Sequence, residues 1–258
     1  MKVGLVLSGG GARGISHLGV VKALNEHQVK IDFISGTSAG AVVGGFLAHG
    51  YTPEEALDAL LRTNLYKAVR PAMSWRGILK IERLESMLRP YFSDDSFEAL
   101  QIPLFVAATN VRKGVLDIFS SGELIRPMLA SCCLPVIFEP LKIKGQTFMD
   151  GGIINNLPVE PLIGKATFII GSHCNPISDN HTGTNMKRLM ERSLLLAIHE
   201  NVSIRQPHCD MFIEPYALKD YHVFDFKKAK KIFQIGYEHT CRLLGEAWLA
   251  EKFKSVLS

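Results

Sequence analysis

The stretch Ile31-Asp32-Phe33-Ile34-Ser35-Gly36-Thr37-Ser38-Ala39-Gly40-Ala41-Val42-Val43-Gly44 decides how this chain is read. Its apolar opening, Ile31 to Ser35, reads as a buried strand. Ala39 to His49 reads as a helix that Gly50 stops. Between them Gly36-Thr37-Ser38-Ala39-Gly40 matches G-x-S-x-G, the pattern of a serine on a tight strand-to-helix turn. Such a turn strains the backbone and brings two segments close, so positions 36 and 40 call for glycine. The Ser38 hydroxyl would then stand clear of the main chain. A chain rich in small residues also produces this pattern by chance, so its weight depends on its surroundings.

Strands and helices alternate outward from this turn. Val3 to Ser8 is a short apolar run ended by glycines, and Ile15, Leu18, Val21 and Leu24 then recur at helical spacing. Thr52-Pro53-Glu54-Glu55 starts another helix, with Thr52 as N-cap, Pro53 in the first turn and Glu55 closing a capping box. Asn64 to Lys80 is less regular and holds Tyr66, Pro71, Met73 and Trp75 among basic residues. A helix over Ile81 to Leu88, strands over Pro103 to Thr109 and Val115 to Phe119, and a helix over Glu123 to Cys133 follow. Leu141 to Ile143 and Thr147 to Met149 read as a hairpin turning at Lys144-Gly145-Gln146. Val159 to Ile163 reads as a short helix. Thr167 to Ser172 and Met211 to Glu214 are further strands, and Asn185 to Arg205 and Phe226 onward are helical. No linker or repeat divides the 258 residues. The expectation is one domain over 1–258, of the α/β class, with three α/β/α layers and a largely parallel central sheet. Its motifs fall within residues 3–175, ahead of a helical C-terminal part over 185–258.

An apolar content of 47% allows a sizeable core, and 21% charged residues with a net charge of +4 argue against disorder. The mild basicity favours an anionic surface without pointing to nucleic acid. The densest basic run, Lys227-Lys228-Ala229-Lys230-Lys231, reads as a solvated helix face or a membrane-surface contact. Five cysteines, at 132, 133, 174, 209 and 241, show no metal-ligand spacing, which predicts reduced thiols and no metal. Val3 to Leu7 is too short for a signal peptide, and no run approaches the roughly 20 apolar residues of a membrane helix. A cytoplasmic protein is expected, and any membrane contact would be peripheral.

A second glycine loop, Gly9-Gly10-Gly11-Ala12-Arg13-Gly14, lies between the first strand and first helix. It matches G-x-G-x-x-G, but a dinucleotide site wants an acidic residue at the end of the second strand, and Asp32 stands at its beginning. Backbone N–H groups at a helix start also favour negative charge, which suits the oxyanion of acyl transfer through a serine. A serine hydroxyl needs a base. Asp150-Gly151-Gly152 ends the second hairpin strand, where a partly buried Asp150 carboxylate would serve Ser38. By itself the triplet also reads as an ordinary turn.

Four blocks resemble the patatin-like phospholipase family: Gly9 to Gly14 with His17 and Gly19 after it, Gly36 to Gly40, Ala130-Ser131-Cys132-Cys133-Leu134-Pro135, and Asp150-Gly151-Gly152. The resemblance spans about residues 3–175 and implies a patatin-like fold. It implies a lipid ester hydrolase of phospholipase A or lysophospholipase type, with Ser38 as nucleophile, Asp150 as general base, and no cofactor. The oxyanion hole would come from the loop Gly9, Gly10, Gly11, Ala12, Arg13, Gly14, chiefly from N–H groups around Gly10, Gly11 and Ala12, with Arg13 bracing it. Gly36, Thr37, Ala39 and Gly40 would shape the nucleophile turn, Gly151 and Gly152 would support the base, and His17 would be structural. Tyr66, Met73, Trp75, Ile78 and Leu79 are candidates for the mouth of an acyl channel, or for ordinary packing. Other readings stay open. One is acyl transfer, or thioester cleavage, by the same dyad. A second is a Ser–His–Asp triad completed by His173, His199 or His208. The third is a non-catalytic lipid- or nucleotide-binding module.

Overall fold

Each short apolar run becomes a strand in the computed structural model, which describes residues 1–63, 82–135, 138–178 and 186–245. Among the described residues, eight strands form one sheet: β1 (Val3–Leu7), β2 (Phe33–Thr37), β3 (Leu104–Asn110), β4 (Val115–Phe119), β5 (Leu141–Ile143), β6 (Gln146–Asp150), β7 (Phe168–Ser172) and β8 (Met211–Ile213). Strands β3-β2-β1-β7-β8 run parallel. The sheet is nevertheless mixed, because β4 and β6 join β3 antiparallel and β5 pairs antiparallel with β6.

Side chains alternate across a strand, and both faces of this sheet are apolar. Leu5, Leu7, Ile34, Leu104 and Ile170 turn to one face. Helices α1 (Ser16–Glu26), α2 (Ala39–His49), α3 (Pro53–Arg62), α4 (Glu82–Leu88), α5 (Ile125–Ser131) and α7 (Ala229–Gly245) contribute to the core there. Val6 and Ile169, with Phe33 and Phe105, turn to the other face, where Ile198 and Val202 of α6 (Met186–Ser203) meet them. This is the expected three-layer α/β/α arrangement. Leu5, Leu7 and Ile34 are fully buried, each contributing about 1.5–3 kcal/mol of transfer free energy.

Local details follow from hydrogen bonds. The capping box of α3 is present: Glu55 N–H donates to Thr52 Oγ1, and Thr52 N–H donates to Glu55 Oε2 at 2.9 Å. Strand β2 starts at Phe33 rather than Ile31, because Asp32 turns back to accept from Val3 N–H at 2.8 Å. The strand runs on through Gly36 and Thr37, which pair with Val106 and Ala107. Helix α5 starts at Ile125 rather than Glu123, where Asp95 Oδ1 accepts the N–H groups of Leu124 and Ile125. Gly11–Ile15 forms a 3-10 turn that the sequence did not suggest. Helices α1 and α7 cross at glycines: a Cβ on Gly236 would strike Ser16 O, and one on Gly19 would strike Phe233 O.

One register feature positions the site. Val106 and Ala107 of β3 pair with both β2 and β4, so those strands lie on opposite edges of β3. Ala108 pairs with both β4 and Asp150 of β6. Strands β2 and β6 therefore share one edge of β3 and meet end to end. Thr37 stands opposite Ala107 and Asp150 opposite Ala108. The residue after Thr37 is thereby delivered to the tip of β6.

Candidate active site

Ser38 is that residue. Its backbone sits at φ 53° and ψ −122°, a region that costs a non-glycine residue on the order of 1–3 kcal/mol. The surroundings enforce it. A Cβ on Gly40 would strike Leu7 O, and one on Gly36 would strike the Gly40 carbonyl, so the turn closes only with both glycines. Ser38 N–H donates to Ser131 Oγ at 2.7 Å, and Ser131 Oγ donates to Ala107 O at 2.6 Å. Thr37 Oγ1 donates to Asn155 O at 3.0 Å. Ala39 opens helix α2 and lines the cavity beside Ser38.

The hydroxyl thrust out by this turn donates to Asp150 Oδ2 at 2.7 Å. Asp150 Oδ1 accepts Gly152 N–H at 2.8 Å, Asp150 N–H donates to Cys133 O at 3.0 Å, and Gly151 lies against Ala107 O. The carboxyl is 5% exposed. Burial pushes its pKa up to about 6, against the opposing pull of the hydrogen bonds from Ser38 and Gly152. A carboxylate poised there is a far better proton acceptor near neutrality than one in water.

The glycine loop lies against Ser38 at Gly9 and is held from two sides. Asn156 Oδ1 accepts Gly9 N–H at 3.1 Å. Asn175 Nδ2 donates to Gly9 O at 2.6 Å, and Asn156 Nδ2 donates to the same oxygen at 3.3 Å. Farther along, Ala12 N–H donates to Val223 O at 2.8 Å and Arg13 Nε to Tyr221 O at 2.6 Å. Arg13 N–H donates to Gly10 O at 3.2 Å. Gly14 packs against Ala39. Among the described residues no acceptor meets the N–H of Gly10 or Gly11, and both glycines line the cavity.

That cavity has a volume of about 340 Å³, within the range of small-molecule sites. Ser38 and Asp150 stand among Leu60, Leu88, Leu129, Leu134, Phe138 and Ile198. Cys132 also faces it. Burial, and then the charge of Asp150, push the Cys132 thiol well above its usual range and keep it neutral. All five cysteines are free. Among the described residues, no His, Cys, Asp and Glu side chains are grouped so as to hold a metal ion.

The residues singled out from sequence thus converge: Ser38, Asp150 and the loop from Gly9 surround one cavity. The loop does not act as a uniform row of donors, since the N–H groups of Gly9, Ala12 and Arg13 are already taken. The late histidines lie elsewhere. His173 is buried beside Phe212, 3.6 Å from Glu214, and His199 and His208 are exposed. His17 is structural: its Nε2 donates to Ser8 O at 2.9 Å and its Nδ1 accepts from Ser172 Oγ at 2.8 Å. Burial lowers its pKa to about 4, so it stays neutral. Asp32 stands at the start of β2, far from the strand end where a ribose ligand would be needed. The channel-mouth candidates Tyr66, Met73, Trp75, Ile78 and Leu79 lie outside the described residues. Sequence reading missed Asn156, Asn175 and the Tyr221–Val223 backbone. Asn155-Asn156-Leu157-Pro158, close after the Asp-Gly-Gly triplet, was a readable hint; a backbone oxygen leaves none.

Fold and site together define an α/β protein whose strained serine elbow meets a buried carboxylate in an apolar cavity. Residues 5–163 match the model of the patatin-like phospholipase family. The chain belongs to that family. It is 34% identical over 186 residues to an uncharacterized NTE family protein of Mycobacterium tuberculosis strain H37Rv, covering 69% of this chain and 52% of that protein. It is 30% identical to lysophospholipase NTE1 of the yeast Debaryomyces hansenii, covering 94% of this chain and 18% of that protein. The chain therefore spans about half the length of the mycobacterial relative and under a fifth of the fungal one. Among solved structures, VipD from Legionella pneumophila shares the fold, with a TM-score of 0.54 at 18% identity, covering 94% of this chain and 66% of that one.

Proposed function

We propose that this chain is a serine acyl hydrolase of lipid carboxylic esters, of phospholipase A or lysophospholipase type. The observation that carries the reading is the 2.7 Å hydrogen bond from Ser38 to a buried Asp150 on the wall of an apolar cavity. Membership of the patatin-like phospholipase family and the likeness to fungal lysophospholipases support it.

Asp150 takes the Ser38 proton as Oγ attacks the ester carbonyl. Charge builds on the carbonyl oxygen, where the N–H groups of Gly10 and Gly11 are the donors left open for it. Collapse breaks the ester C–O bond, and Asp150 returns the proton to the departing alcohol. Water then attacks the acyl-serine, giving its proton to Asp150, and the second collapse releases a fatty acid and restores Ser38. The leucine-rich wall holds the acyl chain, and Ser38, Asp150 and the glycine loop suffice for both steps. The direct Ser38–Asp150 contact favours a dyad over a histidine triad.

The test is a lipid panel of diacyl, monoacyl and glyceride esters, run with wild type and Ser38→Ala and with alcohol acceptors added. Release of free fatty acid by wild type alone is expected. Acylated acceptor in place of fatty acid would convert the reading to acyl transfer. Turnover that persists in Ser38→Ala would remove the serine mechanism.

A further inference from the structure

Several cavity-lining residues are also exposed, which places them at its mouth: Leu61, Ile153 and Lys227. Two of these are apolar side chains set out in water, and the third opens the basic run. Lys230 and Lys231 follow Lys227 by three and four positions, across the junction from the 3-10 turn Phe226–Lys228 into α7. All three are exposed. Lys228, also exposed, lies 3.0 Å from Asp225 and over the Tyr221 ring. Helix α3, which also lines the cavity through Leu60 and Leu61, ends in exposed Arg62.

This placement is not needed for folding. Lys230 and Lys231 lie in the first turn of α7, where the helix dipole disfavours cations. The inward face of α7, with Ala229, Ile232, Phe233 and Gly236, already anchors the helix to α1. The lysines contribute nothing to that packing. They leave a positive rim beside exposed aliphatic side chains, at the opening through which an acyl chain would pass.

We propose that this rim docks the protein on an anionic lipid bilayer, with Lys230, Lys231 and Arg62 against the headgroups and Leu61 and Ile153 at the acyl boundary. The proposal rests on the lipid ester hydrolase reading. The occupant follows from charge and hydropathy together: an acidic protein would match the lysines but not the apolar mouth, whereas a bilayer matches both. Docking there would let an acyl chain pass from membrane to cavity without crossing water.

The test is co-sedimentation of the whole protein with phosphatidylcholine vesicles, with or without about one third phosphatidylserine. Wild type and Lys230→Gln/Lys231→Gln are compared, since neither lysine lines the cavity. Wild type should favour the anionic vesicles, and high salt should weaken that binding. The double variant should bind them about 30-fold more weakly, the effect of two surface lysines. It should hydrolyse a water-soluble short-chain ester at the wild-type rate. Equal binding of wild type to both vesicles, or wild-type binding by the double variant, would overturn the docking proposal. Absence of soluble-ester hydrolysis in folded wild type would instead overturn the hydrolase reading, so the two failures are separable.

Discussion

Residues 5–163 and the chain beyond them meet at the glycine loop, which Asn156 of the first part and Asn175, Tyr221 and Val223 of the second hold together. The earlier part presents short runs: a loop of glycines, a serine between two glycines, and an aspartate before two more. In each, the group proposed to act and the residues that shape its turn are neighbours in sequence. The later part reaches the same site with isolated atoms. Asn175 clamps Gly9 across 166 positions, and Tyr221 O receives Arg13 across 208. Val223 O takes Ala12 N–H. The later part also carries Lys230 and Lys231 and a smaller part of the cavity wall. In the proposed mechanism the chemistry sits in local motifs, while the aim of the loop amides depends on long-range contacts.

Substitutions on the two sides should separate these contributions. Asp150→Asn removes the proposed base, and turnover should fall about 10³- to 10⁴-fold or more. Its stability should move the other way. The Asp150 carboxyl has a pKa of about 6 in the fold, above its unfolded value. The native state therefore binds the extra proton, and the stability present below about pH 4 is lost as pH rises through about 6. Above that pH the buried charge costs on the order of 3 kcal/mol. Asp150→Asn should therefore gain melting temperature relative to wild type at alkaline pH and not at acid pH.

Asn175→Ala, on the later side, should lower kcat about 10- to 100-fold and leave KM nearly unchanged, because it loosens the aim of Gly10 and Gly11 without touching the acyl wall. Affinity for a trifluoromethyl ketone, which forms a tetrahedral adduct, should fall with kcat, while affinity for a fatty acid should not. Loss of both affinities would make Asn175 a folding residue only. A loss of turnover as large as that of Asp150→Asn would erase the distinction between the two regions. The smallest effect is expected from Gly236→Ala. Its methyl would strike Ser16 O, costing about 1–3 kcal/mol as helix α7 is pushed from α1. Thermal melting reads that loss, and kcat should drop only a few-fold as the Tyr221–Val223 contacts slacken.

Much of this was legible in residues that act locally. The α3 capping box, the hairpin turn at Lys144 and Gly145 with φ 47° and 76°, and the serine elbow all follow from neighbouring side chains. The pairing of Ser38 with Asp150 was legible only as order along the chain. Its geometry needs β2 and β6 to share an edge of β3, and strand order leaves no periodic trace. The start of α5 was misplaced because its cap, Asp95, lies 29 and 30 positions from the amides it accepts. The loop donors were overcounted because Val223 O and Asn156 Oδ1 satisfy two of them from afar. Nothing in a run of glycines reveals which amides are already engaged.

The most direct test is the pH dependence of irreversible labelling by a fluorophosphonate, with the adduct located by mass spectrometry. The expected result is a single adduct on Ser38. Its rate should rise through one ionisation near pH 6, fall sharply in Asp150→Asn, and stay unchanged in His173→Ala, His199→Ala and His208→Ala. Labelling of Asp150→Asn at the wild-type rate, or its abolition by any of the three histidine variants, would contradict the Ser38–Asp150 dyad.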